Sequence, residues 1–184
     1  AGSITQHVSA YEVIHKNVNG DDKRITFIDT PGHSAFSAMR SRGANIADIA
    51  ILIISAEDGV KPQTLEAYNS IQEAKIPFVI AINKIDKPNA NIQKVKNELI
   101  ENGIYVEGSG GDISFVPISS KSGEGIPELL DMMLLIAEME DYKGDSSLLA
   151  EGFVLESKVD PQKGVDTMLI IKEGAIKRGD FLMV

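Results

Sequence analysis

Residues 25–33 read I-T-F-I-D-T-P-G-H, an apolar run that stops at a carboxylate, a Pro-Gly turn and a histidine. The apolar run is typical of a buried β-strand, and the Pro-Gly pair is typical of the turn that follows one. In an open α/β sheet, ligands bind beyond the carboxyl ends of the strands. We therefore predict a ligand beside Asp29 to His33, although a strand with an ordinary turn explains this segment equally well by itself.

Two more polar segments follow apolar runs in the same way. Asn83-Lys84-Ile85-Asp86 comes after the run at 76–82, and Ser119-Ser120-Lys121 comes after the run at 113–118. Together with residues 29–33, they have the spacing that a guanine-nucleotide site would use. Their combination is more informative than any one of them, because each has a common alternative as a surface loop.

The hydrophobic pattern predicts an α/β fold. Strands at 10–18 and 23–28 are joined by an Asn-Gly turn, which is typical of a hairpin. Predicted strands at 48–55, 76–82 and 113–118 then alternate with predicted helices at 34–47, 62–75, 89–102 and 127–139. The run D-I-A-I-L-I-I-S at 48–55 is typical of a parallel strand covered on both faces. We expect a doubly wound, mostly parallel sheet with one antiparallel edge.

The pattern changes after residue 140. We read 141–150 as a linker, and predict short strands at 152–159, 165–172 and 180–184 with no helix between them. Three strands are too few to close a β-barrel. The predicted organisation is thus a first domain over 1–140, the linker, and the truncated start of a β-barrel domain over 151–184.

Composition narrows the chemistry. The chain of 184 residues carries a formal net charge of −9, which argues against nucleic-acid binding driven by the charge of the whole chain. It has no cysteine, which excludes disulfides, thiolate catalysis and cysteine metal sites. It has no apolar run near the roughly 20 residues that span a bilayer and no signal-peptide pattern at its start. We expect a soluble, intracellular protein.

The segment at 83–86 suits recognition of guanine. Guanine presents a ring N–H and an exocyclic amine on one edge, and the Asp86 carboxylate can accept hydrogen bonds from both. Asn83 can donate to the base and tether neighbouring loops, while the aliphatic stem of Lys84 can lie over the ring. Ser119, Ser120 and Lys121 would offer backbone N–H groups to the guanine carbonyl oxygen.

The segment at 29–33 suits phosphate chemistry. Asp29 can hold a Mg²⁺-bound water, and Thr5 can give its hydroxyl to the metal ion. Gly32 lets its backbone N–H approach a γ-phosphate closely, and His33 would orient the attacking water. A lone histidine is more often structural or solvated, and we accept that interpretation for His7 and His15.

Longer stretches add to these motifs. D-T-P-G-H at 29–33, N-K-I-D at 83–86 and S-S-K-S-G-E-G at 119–125 resemble the guanine-nucleotide motifs of the translational GTPases. The segments A-G-S-I-T-Q-H at 1–7, H-S-A-F-S-A-M-R-S-R-G-A at 33–44, D-G-V-K-P-Q-T-L-E-A at 58–67 and G-G-D-I-S-F-V-P-I-S-S-K at 110–121 resemble bacterial-type translation initiation factor 2. The segment E-G-A-I-K-R-G-D at 173–180 resembles the start of that family's second, β-barrel domain.

The resemblance implies a P-loop-NTPase-like fold that binds GTP or GDP with Mg²⁺. It places Thr5 in switch I and residues 29–33 in switch II, with His33 as the catalytic histidine. Asn83, Lys84 and Asp86 would read guanine, supported by Ser119 to Lys121. It also implies ribosome-stimulated GTP hydrolysis during subunit joining, contact with both ribosomal subunits and their rRNA, and no membrane. Initiator tRNA would bind through domains absent here. The expected compartment is the bacterial cytoplasm, with an organellar matrix as the alternative.

Three departures from the family pattern qualify these expectations. Ser3 stands where the family usually has a second glycine, and Ser120 replaces the usual alanine. The phosphate-cradling motif G-x-x-x-x-G-K-S/T does not occur anywhere. We therefore expect an internal fragment that begins in switch I, without the first strand and P-loop, and with weak or no GTP binding and no turnover by itself. Two alternatives stay open: a non-catalytic binding module with a GTPase-like shape, and another translational GTPase such as an elongation factor.

Overall fold

A computed structural model of the protein describes residues 9–30, 46–162 and 164–183. The chain divides into two compact units, Ala1–Glu140 and Asp141–Val184. The predicted helix at 34–47 lies almost entirely outside the described residues. Three predicted site residues, Thr5, Gly32 and His33, also lie outside the described residues.

The first unit opens with an antiparallel hairpin of strands β1 (Ser9–Lys16) and β2 (Asp22–Asp29). The side chain of Asn17 closes its turn, because Oδ1 accepts hydrogen bonds from the backbone N–H of Asn19 at 3.1 Å and of Asp21 at 2.8 Å. Gly20 has a φ of +83°, as the predicted Asn-Gly turn requires. The predicted hairpin is confirmed, and it delivers Asp29 as the last residue of β2.

The central sheet of this unit has three parallel strands, β3 (Ala50–Ser55), β4 (Phe78–Asn83) and β5 (Phe115–Pro117), in that order. Helix α1 (Pro62–Ala74) connects β3 to β4, and helix α2 (Ile92–Glu101) connects β4 to β5. Helix α3 (Ile126–Met139) follows β5. The predicted alternation of strands and helices is therefore confirmed.

Successive side chains of β4 point to opposite faces of the sheet, and a hydrophobic cluster covers each face. Ile80 and Ile82 join one hydrophobic cluster, to which α1 and α2 contribute Ile71, Val95 and Leu99. Val79 and Ala81 join a second cluster, to which α3 contributes Leu129 and Met133. A strand covered on both faces must be apolar throughout, which is why β4 reads F-V-I-A-I before its terminal asparagine.

Two expectations about the sheet need correction. The hairpin forms a sheet of its own rather than an antiparallel edge of the parallel sheet, and it meets the rest of the unit through side chains. Ile25 and Phe27 pack against the second cluster, and His15 Nε2 lies 2.8 Å from Asp131 Oδ1 on α3. Strand β3 is covered on both faces only in part: Ile51 packs against the second cluster, but Ile53 on the same face is 60% exposed. Within the described residues β3 pairs along one side only, with β4, and so behaves as an edge strand.

The second unit contains one antiparallel hairpin, β6 (Glu151–Asp160) and β7 (Gly164–Glu173). The predicted strand at 180–184 is wrong over residues 180–183, which have no strand structure. A strand needs hydrogen bonds from a neighbouring strand. The apolar side chains of this segment are also not buried, since Phe181 and Met183 are fully exposed.

Every helix of the described chain falls short of the length and apolar character needed to cross a bilayer.

Candidate functional site

Three loops meet at the carboxyl edge of the parallel sheet. Ser55, the last residue of β3, pairs in register with Asn83, the last residue of β4. The Ile118 N–H donates to the Ile82 carbonyl at 2.8 Å, and the Ile85 N–H donates to the Ile118 carbonyl at 3.3 Å. The loops that follow β3, β4 and β5 are thus adjacent, as ligand binding at this edge requires.

The Asn83 side chain ties two of these loops together. Its Oδ1 accepts hydrogen bonds from the backbone N–H of Lys84 at 2.7 Å and of Ser120 at 3.0 Å. Its Nδ2 donates to the Ser120 hydroxyl oxygen at 3.1 Å. The expectation that Asn83 tethers neighbouring loops is confirmed.

A buried hydroxyl orients the Asp86 carboxylate. Ser119 is 0% exposed, and its hydroxyl donates to Asp86 Oδ1 at 2.8 Å while its oxygen accepts from the Ser122 N–H at 3.1 Å. The hydrogen bond from Ser119 is the main cause that lowers the pKa of the Asp86 carboxyl below its ordinary value. Asp86 itself faces solvent, and a carboxylate has lone pairs enough to accept two further donors from a base.

Lys84 is held by acidic residues of the loop after β3. Its φ of +67° turns the chain sharply at the end of β4, and its Nζ lies 3.1 Å from Asp58 Oδ2 and 3.9 Å from Glu57 Oε2. A hydrogen bond from Ser55 and, next, the Lys84 ammonium lower the pKa of Asp58. Glu57 and Asp58 are not among the site residues that the sequence motifs predict.

The loop that carries Asp58 is fixed from two sides. Within it, the Asp58 N–H donates to Ser55 Oγ at 3.2 Å and the Gly59 N–H donates to the Ser55 carbonyl at 2.9 Å. From α2, Glu98 Oε2 accepts a hydrogen bond from the Val60 N–H at 2.7 Å. The Glu-Asp-Gly segment directly after a predicted strand could have indicated Asp58, whereas Glu98, 38 residues from Val60, has no local signal.

The structure brings most of the predicted base-binding residues together in two adjacent hydrogen-bonded groups, Asn83 with Lys84 and Ser120, and Asp86 with Ser119. The expectation that Ser119 and Ser120 offer backbone N–H groups to the base needs correction, because these groups donate to the Glu124 carbonyl and to Asn83 Oδ1. Lys121 lies in the same loop, and its charge helps to lower the pKa of Asp86. For phosphate and metal, the described chain supplies Asp29 at the end of β2. Within those residues, no group of three or more histidine and acidic side chains is placed to hold a metal ion. One carboxylate fits a Mg²⁺ ion whose other ligands are phosphate oxygens and waters.

Sequence comparison identifies the class of protein to which this site belongs. Residues 1–139 match the family profile described as the elongation factor Tu GTP binding domain, and the chain is a member of that family. The whole chain, second unit included, is similar to one kind of translation factor. It is 50% identical to translation initiation factor IF-2 of Finegoldia magna over 182 residues, which cover 99% of this chain and 23% of that protein.

A second relative gives the same result. Translation initiation factor IF-2 of Bacillus licheniformis is 48% identical over 184 residues, 100% of this chain and 25% of that protein. The chain therefore spans about a quarter of the length of the relatives it matches. The resemblance to bacterial-type translation initiation factor 2 predicted from the motifs is confirmed.

Solved structures of translation factors share the fold. A GDP-bound aIF5B from Aeropyrum pernix is 31% identical, with a TM-score of 0.69 over 95% of this chain and 37% of that chain. Translation elongation factor SelB from Methanococcus maripaludis, in complex with the GTP analogue GPPNHP, is 26% identical, with a TM-score of 0.72 over 96% of this chain and 38% of that chain.

Proposed function

We propose that this chain is the guanine-nucleotide-binding part of a bacterial translation initiation factor that hydrolyses GTP on the ribosome. One observation carries the proposal: Asn83, the last residue of β4, and Asp86, in the loop after it, are held by Ser120 and Ser119, which follow β5. Membership of a GTP-binding family and the similarity to initiation factors support it independently.

In this proposal Asp86 reads the base. Its carboxylate accepts hydrogen bonds from the ring N–H and the exocyclic amine of guanine. Adenine has no such pair of donors on that edge, so it would leave the charged group without its partners. A site built to hydrogen-bond its ligand rejects analogues strongly for this reason. Ser119, Ser120 and Asn83 keep the two loops in position, since the Ser119 N–H donates to the Glu124 carbonyl at 2.9 Å and the Ser120 N–H donates to Asn83 Oδ1. Lys121 then offers its backbone N–H to the guanine carbonyl, and the Lys84 stem covers the ring.

The phosphate side of the site rests on residues 5 and 29–33. We propose that Thr5 and Asp29 would hold Mg²⁺, with Asp29 acting through a water, and that the ion would supply positive charge against the nucleotide phosphates. Gly32 would offer its backbone N–H to the γ-phosphate, and His33 would orient the attacking water. The 184 residues contain no G-x-x-x-x-G-K-S/T motif. For that reason we expect the chain by itself to bind GTP weakly, if at all, and not to turn it over.

The same proposal gives the chain a P-loop-NTPase-like G domain over 1–140, a linker over 141–150 and the start of a β-barrel domain over 151–184. Its partners are the two ribosomal subunits, with rRNA contact, and initiator tRNA through domains other than these. Hydrolysis accompanies joining of the subunits in the bacterial cytoplasm.

The test is nucleotide binding by the full-length product of the gene that encodes this chain. Fluorescent GDP is titrated in the presence of Mg²⁺ and then displaced with unlabelled GDP or ADP. We expect displacement by GDP at stoichiometric levels and no displacement by ADP, and loss of binding in Asp86→Ala. Equal displacement by ADP would contradict the proposal.

The catalytic assignment needs a separate measurement. GTP hydrolysis by the same protein should be stimulated by ribosomes, and His33→Ala should reduce that stimulated rate by about 100-fold or more while leaving GDP affinity within two-fold, since general acid–base or water-orienting groups contribute at this level. A ribosome-stimulated rate unchanged in His33→Ala would remove His33 from the mechanism.

A further inference from the structure

We infer that Asp58 is a positioning residue for guanine binding, and that together with Glu57 it holds Lys84 in the conformation that covers the base. This inference rests on the function proposed above and adds to the site an acidic pair outside its sequence motifs. We call Glu57 and Asp58 the acidic clip. Its ion pair with Lys84, at 3.1 Å to Asp58 and 3.9 Å to Glu57, bridges the loops after β3 and β4.

The acidic clip lies on a loop that is held by hydrogen bonds from two sides. Ser55 binds the backbone of Asp58 and Gly59 from the end of β3, and Glu98 binds the Val60 N–H from α2. Gly59 lies against Glu98 so closely that a Cβ built there would be 2.1 Å from Glu98 Oε2. A carboxylate on such a loop has a defined position, unlike one on a freely moving surface segment.

The acidic clip can affect base binding because Lys84 lies close in the chain to Asp86. Lys84 and Asp86 belong to the same turn, in which the Lys87 N–H donates to the Lys84 carbonyl at 3.1 Å. When Nζ is held at Asp58, the four-carbon stem runs from the β4 loop toward the β3 loop, and it offers an apolar surface on the turn that also carries Asp86. The ammonium stays paired, so the stem can contact the base without burying an unpaired charge.

The Lys84 side chain is already ordered before the nucleotide binds, and this explains why its contact with the base favours binding. A lysine loses much rotamer freedom when it is fixed, and a side chain fixed in the free protein loses less on association. Lys84 is 44% exposed on its side chain, so without the clip it would sample many rotamers in solution. The clip therefore raises affinity for the base, and its effect is the same for GDP and GTP because it does not act on the phosphates.

A double-mutant cycle on the full-length gene product tests this inference. The variants are Asp58→Ala, Lys84→Ala and the two combined, with Glu73→Ala on the exposed surface of α1 as the matched control. Thermal unfolding of each variant shows that it is folded. Fluorescent GDP titrations then give the dissociation constants.

We expect Asp58→Ala to weaken GDP binding about 2- to 5-fold, the range for an exposed ion pair. It should have no further effect when Lys84 is already alanine, and Glu73→Ala should match the unchanged protein. The inference is overturned if Asp58→Ala binds like the unchanged protein, or if the loss persists in the Lys84→Ala background, which would mean that Asp58 acts on the loop alone. Failure of the unchanged protein to bind GDP would instead overturn the proposed function, and this inference with it.

Discussion

Ser119 orients the Asp86 carboxylate from a fully buried position, although its side chain never needs to touch a ligand. Its hydroxyl serves as donor to Asp86 and as acceptor for the Ser122 N–H, so both its hydrogen-bonding capacities are used. A short polar side chain that is itself buried and has two hydrogen-bond partners specifies one geometry. Alanine would leave the Ser122 N–H without this acceptor and would free the carboxylate.

Ser119→Ala should lower the free energy of unfolding by about 1 kcal/mol, the usual net contribution of a hydrogen bond, because the Ser122 N–H and the Asp86 carboxylate that lose their partner belong to exposed residues. The measurement is urea denaturation at neutral pH. Ser70→Ala is the matched control, since the Ser70 hydroxyl only donates back to the Glu66 carbonyl on α1, at 3.1 Å. We expect the control to lie within about 0.5 kcal/mol of the unchanged protein. Equal stabilities for both variants would remove the structural role of Ser119.

The same hydrogen bond predicts a pH dependence. Ser119 lowers the pKa of Asp86 in the folded protein, so the ionised carboxylate contributes stability above its unfolded-state value, about 3.9. That contribution is lost as the pH falls through the lower folded-state pKa. The difference in unfolding free energy between Ser119→Ala and the unchanged protein should therefore shrink as the pH drops from about 6 to below 3.5. A difference that stays constant over this range would show that Asp86 is not stabilised by Ser119.

The residues proposed to read the base could be predicted from the sequence, but the side chains that hold them in position could not. Asn83 and Asp86 stand in a motif whose chemistry can be read from residue types alone. Ser119 was expected to contribute a backbone N–H, and its buried side-chain role depends on a partner 33 residues away. Such a role follows from the packing of two strand ends, which a single sequence does not contain.

At the scale of elements, the segment from Ser55 to Val60 is the most constrained loop of the site. Gly59 has a φ of +74°, and a side chain there would meet the carboxylate of Glu98. The backbone conformation favours glycine, and a side chain at residue 59 would also displace the Glu98 carboxylate from its place beside the loop. The loop at 55–60 is therefore packed closely against α2.

Gly59→Ala should destabilise the protein by more than the cost of a positive φ, because Glu98 must also move and release the Val60 N–H. Gly103→Ala is the matched control: Gly103 has a φ of +77° at the end of α2, and a Cβ there would meet nothing within 4 Å. We expect about 1 to 2 kcal/mol for Gly103→Ala and at least about 1 kcal/mol more for Gly59→Ala, by denaturant unfolding. Equal losses of unfolding free energy in the two variants would mean that the Glu98 side chain moves away without a cost in stability.

Elements with strong periodicity could be predicted from the sequence, and elements that depend on a partner could not. Strand β4 and helix α2 follow from local patterns, since one is apolar throughout and the other carries its buried residues at helical spacing. The separation of the hairpin from the parallel sheet and the missing strand at 180–183 depend on which neighbours supply hydrogen bonds. Local residue types do not determine that choice.

At the scale of the whole molecule, the two hydrophobic clusters of buried residues belong entirely to the first unit. Removing residues 141–184 should therefore leave the thermal unfolding midpoint of the first unit within about 2 °C of that in the whole chain, since no buried cluster is lost. Circular dichroism at 222 nm follows the helices, all of which lie before residue 140 within the described residues. A fall of about 5 °C or more would contradict independent folding of the first unit.

The assignment of Asp86 to the donor edge of guanine can be tested by replacing its carboxylate with an amide. Xanthine offers a ring N–H and a carbonyl where guanine offers two donors, and an asparagine amide offers the matching acceptor and donor. The measurement is the affinity of the full-length gene product and of its Asp86→Asn variant for GDP and for xanthosine diphosphate. We expect Asp86→Asn to lose at least about 100-fold in GDP affinity and to bind xanthosine diphosphate more tightly than GDP. Unchanged GDP affinity in Asp86→Asn would contradict the account.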